Sequence, residues 1–190
     1  MNETKTQRPA QTLTMAAMLT VLGFVLPFFT GQIPQIGGML CPMHLPVLLC
    51  GLLCGWKYGL AVGFLLPLLR SVTLGMPPMF TAIAMAFELA AYGFLAGFLY
   101  ARSRWQCIIA LYRCLIAAMI GGRIVWAVVR VILSGVSGQA FTWQMFLSGA
   151  FLTAIPGIIL QLAFIPAVMA ALDRTGLVPF RRSGETVQTA

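Results

Sequence analysis

The chain has 190 residues, of which 60% are hydrophobic and only 8% are charged. An ordinary soluble domain carries about 25% charged residues, so this composition excludes a soluble fold and predicts an integral membrane protein. The net charge of +8 does not indicate a nucleic-acid partner, because the basic residues are dispersed between apolar segments instead of clustering on one surface. The apolar segments also leave no room for a soluble catalytic or ATPase domain.

Proline, glycine and charged residues divide the chain into six apolar segments. These segments predict transmembrane helices at residues 12–29, 40–55, 57–75, 79–100, 106–133 and 143–172. The predicted fold class is therefore an all-α membrane protein with six transmembrane helices. Its membrane domain covers residues 12–172, between an N-terminal segment at 1–11 and a C-terminal tail at 173–190.

The distribution of lysine and arginine predicts the orientation. The outer loops near residues 30–39, 76–78 and 134–142 contain no basic residue. The segments on the other side contain Lys5, Arg8, Lys57, Arg102, Arg104, Arg174, Arg181 and Arg182. Because cytoplasmic loops carry an excess of lysine and arginine, both termini are predicted to be cytoplasmic, in a multi-pass protein of the cell membrane.

Four charged residues lie within the predicted membrane slab and away from its cytoplasmic rim: Arg70, Glu88, Arg123 and Arg130. A charge near the bilayer centre costs about 2.5–3.5 kcal/mol on insertion scales, so such residues usually face a partner or a water-filled cavity. The direction of each helix places all four in the outer half of the bundle. They predict a polar site that opens to the outside.

Helical spacing brings further residues to this site. Arg123 and Arg130 are seven residues apart and share a face of the fifth helix, close to Trp126. Glu88 and Tyr92 belong to a polar stripe on the fourth helix. The adjacent Gly121 and Gly122 are expected to leave open space. In the first outer loop, Gln35 is a candidate residue of a lid over the site.

One carboxylate among three guanidinium groups leaves excess positive charge, which predicts a ligand with a carboxylate or phosphate. Simpler alternatives remain open. Arg70 and Glu88 are equally compatible with a structural ion pair, Arg130 with snorkelling to the interface and Trp126 with an interfacial anchor. The single histidine, His44, is interpreted as an ordinary interfacial residue at a helix start, and no metal site and no cofactor are predicted.

The segment from Pro42 to Tyr100, PMHLPVLLCGLLCGWKYG and onward, resembles the second to fourth helices of a known family. That family is the substrate-binding S components of energy-coupling factor (ECF) vitamin transporters, and GGRIVWAVV, from Gly121 to Val129, resembles their fifth helix. The resemblance implies a subunit that binds a vitamin from outside. It implies a pocket formed by the first outer loop and helices four to six, and partnership with a membrane T subunit and two cytoplasmic ATPases. Such a chain binds the vitamin but does not hydrolyse ATP, and it is not expected to be an enzyme.

Small residues are the candidates for docking to these partners. Ala16 and Thr20 have the small-xxx-small spacing, although the family often shows an alanine pair there, and Gly51 and Gly55 follow on the second helix. Ordinary packing within the bundle explains the same residues equally well.

The excess arginine favours an anionic substrate, with pantothenate as a narrow first choice and a folate-like compound as the next. A competing hypothesis is a self-sufficient proton-coupled secondary transporter or efflux protein in which Glu88 exchanges protons. A membrane enzyme is disfavoured, because the sequence contains no paired acids, Ser/His/Asp set or metal cluster.

Overall fold

The computed structural model describes residues 9–29, 42–103, 107–137 and 155–174. These residues form six α-helices and no strand. The helices are α1 (Pro9–Phe29), α2 (His44–Cys54), α3 (Trp56–Leu74), α4 (Met79–Arg102), α5 (Ile108–Ser137) and α6 (Ile155–Arg174). The predicted all-α class is confirmed for these residues, and each helix overlaps the apolar segment that predicted it.

Five of the six described helices are long and apolar enough to cross a membrane. Helix α2 is the exception, because its 11 residues cover only about 16 Å, roughly half of a hydrocarbon core of about 30 Å. The number of full spans and the cytoplasmic location of the termini therefore stay predictions.

The outside of the bundle is apolar. Met18 of α1, Val72 of α3 and Ile109 of α5 each expose about 70% of their surface. In water such a surface would be costly, but lipid tails solvate it, which is why hydropathy identifies these helices.

The two larger of three groups of buried side chains join most of the described helices. One lies between α2, α4, α5 and α6 and includes Leu48, Tyr92, Leu115 and Met169. The other joins α1 to α2, α3 and α4 and includes Ala16, Val47, Leu66 and Leu89. Helices α2 and α4 take part in both groups and thus form the centre of the bundle.

Glycines allow α2, α3 and α4 to touch through their backbones. A Cβ atom added at Gly51 of α2 would collide with the carbonyl of Gly93 in α4, and one added at Gly93 would collide with the backbone of Gly59 in α3. Close backbone approach at small residues is a common way for helices to associate in a membrane.

Of the four residues predicted to dock partner subunits, Ala16 and Gly51 are buried, whereas Thr20 and Gly55 are half-buried. Ala16 is buried in the group that joins α1 to its neighbours, and the Thr20 hydroxyl donates to the Ala16 carbonyl at 2.8 Å. Gly51 faces Gly93, while Gly55 has a φ of 94° in the turn between α2 and α3, a conformation that favours glycine. These contacts support the packing alternative for Ala16 and Gly51, and docking through any of the four stays a prediction.

Candidate functional site

Glu88 lies at the centre of the buried polar cluster. It is nine residues beyond the start of α4, about 14 Å along the helix, and only 2% of its surface is exposed. Its Oε1 atom is 3.1 Å from Nη1 of Arg123 in α5. The same oxygen accepts a hydrogen bond of 3.1 Å from the Tyr92 hydroxyl, one helical turn further along α4. The predicted association of Glu88, Tyr92 and Arg123 is present in the structure.

The site includes a residue that the sequence interpretation placed elsewhere. His44, the first residue of α2, is 2% exposed, so its assignment to the membrane surface was wrong. Its Nε2 atom is 3.8 Å from Glu88 Oε1, and its ring centroid is 5.1 Å from that of Tyr92. Residues 44–52 of α2 are all buried. A helix that is apolar on every side is typical of the interior of a bundle. This pattern in the sequence of α2 could have predicted that His44 is buried.

Arg70 does not pair with Glu88, so that alternative is also wrong. The Nη1 atom of Arg70 donates to the Phe24 carbonyl of α1 at 2.8 Å, and its guanidinium lies 5.1 Å from the centre of the Phe28 ring. Arg70 thus faces α1, whereas Glu88 faces α5 and α2. Spacing along one helix shows which residues share a face, but it does not show which neighbour that face contacts.

Arg130 and Trp126 form a second polar group on α5. The Arg130 guanidinium lies 5.6 Å from the Trp126 ring centroid, a cation–π distance, and the indole is buried against Ala84 of α4. The burial of Trp126 favours an interior role over an interfacial anchor. The Nε atom of Arg130 is buried without a hydrogen-bond partner among the residues that the structure describes.

Two glycines of α5 were expected to leave open space, and the structure corrects this prediction. A Cβ atom at Gly121 would meet the Leu95 side chain, and one at Gly122 would meet the Tyr92 ring. The space beside Gly122 is therefore occupied by the tyrosine that donates to Glu88. Glycine at this position allows α4 and α5 to approach closely enough for the Glu88–Arg123 ion pair.

The charges in this region are unevenly balanced. Glu88 compensates Arg123, whereas no carboxylate within ion-pair distance of Arg130 is found in the described ranges. Gln35 and the first outer loop, near residues 30–39, lie outside the described residues, so the lid stays a prediction. Within 9–29, 42–103, 107–137 and 155–174, no group of three or more histidine, cysteine or acidic side chains could hold a metal ion.

Comparison with known proteins identifies the class. The family described as "ECF transporter, substrate-specific component" matches residues 11–169, which include four of the described helices completely and most of α1 and α6. No curated protein and no solved structure matches the chain.

The chain belongs to the substrate-specific S components of ECF transporters. It is a multi-pass protein of the plasma membrane that serves as a substrate-binding subunit in transport. S components bind small molecules and work with T and ATPase modules. The family assignment confirms the resemblance that the second to fifth helices show in sequence.

Proposed function

We propose that this S component captures an anionic, vitamin-like molecule from outside the cell and delivers it by ATP-driven uptake with a T subunit and two ATPase subunits. The chain itself binds and releases the substrate without chemical change, so it is not an enzyme. The cluster of Glu88, Arg123, Trp126 and Arg130 forms the described part of the binding site.

The observation that carries the anionic substrate class is the environment of Arg130, a half-buried residue whose Nε atom is fully buried. A guanidinium removed from water is costly unless an anion and hydrogen-bond acceptors compensate it. Arg130 is stacked on Trp126, and its Nε atom has no acceptor among the described residues. A carboxylate could accept two parallel hydrogen bonds from a guanidinium, which is the strongest form of this interaction.

Pantothenate is the first choice of substrate and a folate-like compound the second. Both carry a carboxylate, and the Trp126 ring beside Arg130 offers an aromatic surface for an apolar or flat part of the molecule. A cationic vitamin such as thiamine would be repelled by Arg130, whereas the charge of Arg123 is compensated by Glu88.

Mass spectrometry of the small molecule that co-purifies with the chain tests the substrate class. A carboxylated vitamin is the expected result, and a cationic vitamin would contradict the proposal. Measured affinities for pantothenate, folate and thiamine, with the protein in detergent, give an independent comparison.

Reconstitution tests the transport mechanism. Proteoliposomes that contain the chain, a T subunit and both ATPases should accumulate the substrate only when ATP is present inside them. Replacement of the ATPases with variants that cannot hydrolyse ATP should abolish uptake. If the chain alone drives uptake in response to a proton gradient, the mechanism is instead that of a secondary transporter that uses Glu88.

A further inference from the structure

His44 is a buried polar side chain that makes no side-chain hydrogen bond to the described residues. Neither of its ring nitrogens has a hydrogen-bond partner among the described residues, although the residue is almost completely buried. Such groups are rare in folded proteins, because they lose their bonds to water and gain nothing in return. The hydrogen-bond partner of His44 is therefore either a bound molecule or a residue outside the described ranges.

The neighbours of His44 do not fill this role. Glu88 Oε1 is 3.8 Å from Nε2, which is too far for a hydrogen bond, and this oxygen already interacts with Tyr92 and Arg123. The Tyr92 ring contacts the imidazole, but its hydroxyl group donates to Glu88. Both imidazole nitrogens thus remain available.

We propose that His44 contacts the substrate and hydrogen-bonds an uncharged polar group, a hydroxyl or an amide. This inference rests on the proposed function, because the carboxylate of the same molecule binds at Arg130. The site then has two ends: a cationic end at Arg130 and Trp126, and a neutral hydrogen-bonding end at His44.

Charge determines which end takes the carboxylate. Glu88 and Arg123 compensate each other beside His44, so this end of the site offers no net positive charge to a carboxylate. No acidic side chain within ion-pair distance of Arg130 occurs among the residues of known placement. A neutral imidazole has one donor and one acceptor, which suits a hydroxyl or an amide.

The distance between the two ends limits the size of the substrate. Arg130 is seven residues beyond Arg123, or about 10 Å along α5, and His44 is connected to Arg123 through Glu88. Because the lateral separation of His44 from α5 adds to this rise, an elongated molecule is required, with a carboxylate at one end and a neutral polar group at the other. Pantothenate fits this description, since hydroxyl groups lie at the end opposite its carboxylate.

Binding of pantothenate and folate to His44→Phe tests the inference, because phenylalanine keeps an aromatic ring beside Tyr92 and removes both nitrogens. Affinity for the bound vitamin should fall by about tenfold to a hundredfold, and His44→Gln, which retains a donor and an acceptor, should recover much of it. Tyr100→Phe is the matched control. Tyr100 is a buried aromatic residue of α4, about 18 Å from Glu88 along the helix, and its variant should bind normally.

A double-mutant cycle separates contact from a structural effect. If His44 contacts the distal hydroxyl of pantothenate, an analogue without this hydroxyl should bind the wild type and His44→Phe with affinities within about threefold of each other. If His44→Phe does not fold, His44→Ala takes its place in the cycle. Unchanged pantothenate or folate affinity in a folded variant overturns this inference alone. If neither vitamin binds the wild type, the proposed substrate class fails together with it.

Discussion

Glu88 compensates Arg123 but leaves Arg130 without an acidic partner in the described part of the chain, and this difference separates two arginines that look alike in sequence. Arg123 is needed to keep a buried carboxylate paired. Under the proposed function, Arg130 is the cation that binds the ligand. Seven-residue spacing correctly predicted that they share a face of α5, but only the packing of α4 against α5 shows which one is neutralised.

Arg123→Ala is expected to destabilise the protein, because it leaves Glu88 buried without its cation. The free energy of unfolding should fall by about 3–5 kcal/mol, the range for breaking one side of a buried ion pair. Thermal unfolding in detergent measures the loss. The double variant Arg123→Ala with Glu88→Gln should be more stable than Arg123→Ala alone, and equal instability of the two would contradict this explanation.

Arg130→Ala is expected to weaken the binding of pantothenate by about tenfold to a hundredfold with little change in stability, because it removes a charge-assisted hydrogen bond to the ligand. Arg130→Lys should recover only part of the affinity, since lysine cannot form two parallel bonds to a carboxylate. Isothermal titration calorimetry measures both. Arg113→Ala removes an exposed arginine from the same helix and provides the control. An equal effect at position 113 would indicate a general influence of net charge.

At the scale of helices, α2, α3 and α4 are in contact because side chains are absent where they cross. The sequence contains a signal for this packing: Gly59 and Gly63 in α3, and Gly93 and Gly97 in α4, both have four-residue spacing. The spacing identifies a glycine face on each helix. It does not show that the two faces meet each other, together with Gly51 of α2, which depends on the fold as a whole.

Gly93→Ala is expected to disrupt this crossing, because its methyl group would collide with the backbone of Gly59, which cannot move aside as a flexible side chain can. Overpacking of this kind costs about 1–3 kcal/mol. Gly135→Ala is the matched control, since an added Cβ there meets no atom within 4 Å and alanine favours a helix by up to about 1 kcal/mol. The melting temperatures of the two variants, purified in the same detergent, should therefore shift in opposite directions.

For the whole molecule, hydropathy and the positions of proline, glycine and charged residues were sufficient to predict all six described helices. Lipid imposes one requirement on every span, because the backbone polar groups must be hydrogen-bonded within the protein. The depth of His44 could not be found in this way. Apolar residues surround it whether α2 starts at the surface or inside the bundle, and only its contacts with Glu88 and Tyr92 distinguish these possibilities. Orientation depends on charge asymmetry, which is a property of the loops and not of the packed helices.

A reporter fused to the C-terminus tests the predicted orientation. Green fluorescent protein should fluoresce there, whereas alkaline phosphatase should be inactive, because both termini are predicted to be cytoplasmic. Fusion of the same reporters after Gly75, in the turn between α3 and α4, should give the opposite result. Active phosphatase at the C-terminus would contradict the orientation and place the Glu88 site in the wrong leaflet for capture from outside.

Direct backbone contact between α2, α3 and α4 has a consequence for motion. Where these helices meet through glycine backbones, no side chain lies between them that could rearrange as they slide, so we expect the three to move as one rigid body. Helix α5 meets α4 partly through the Glu88–Arg123 ion pair and the packing of the Trp126 indole against Ala84, and these contacts can separate and form again. Any hinge that admits or releases the substrate therefore belongs between α4 and α5.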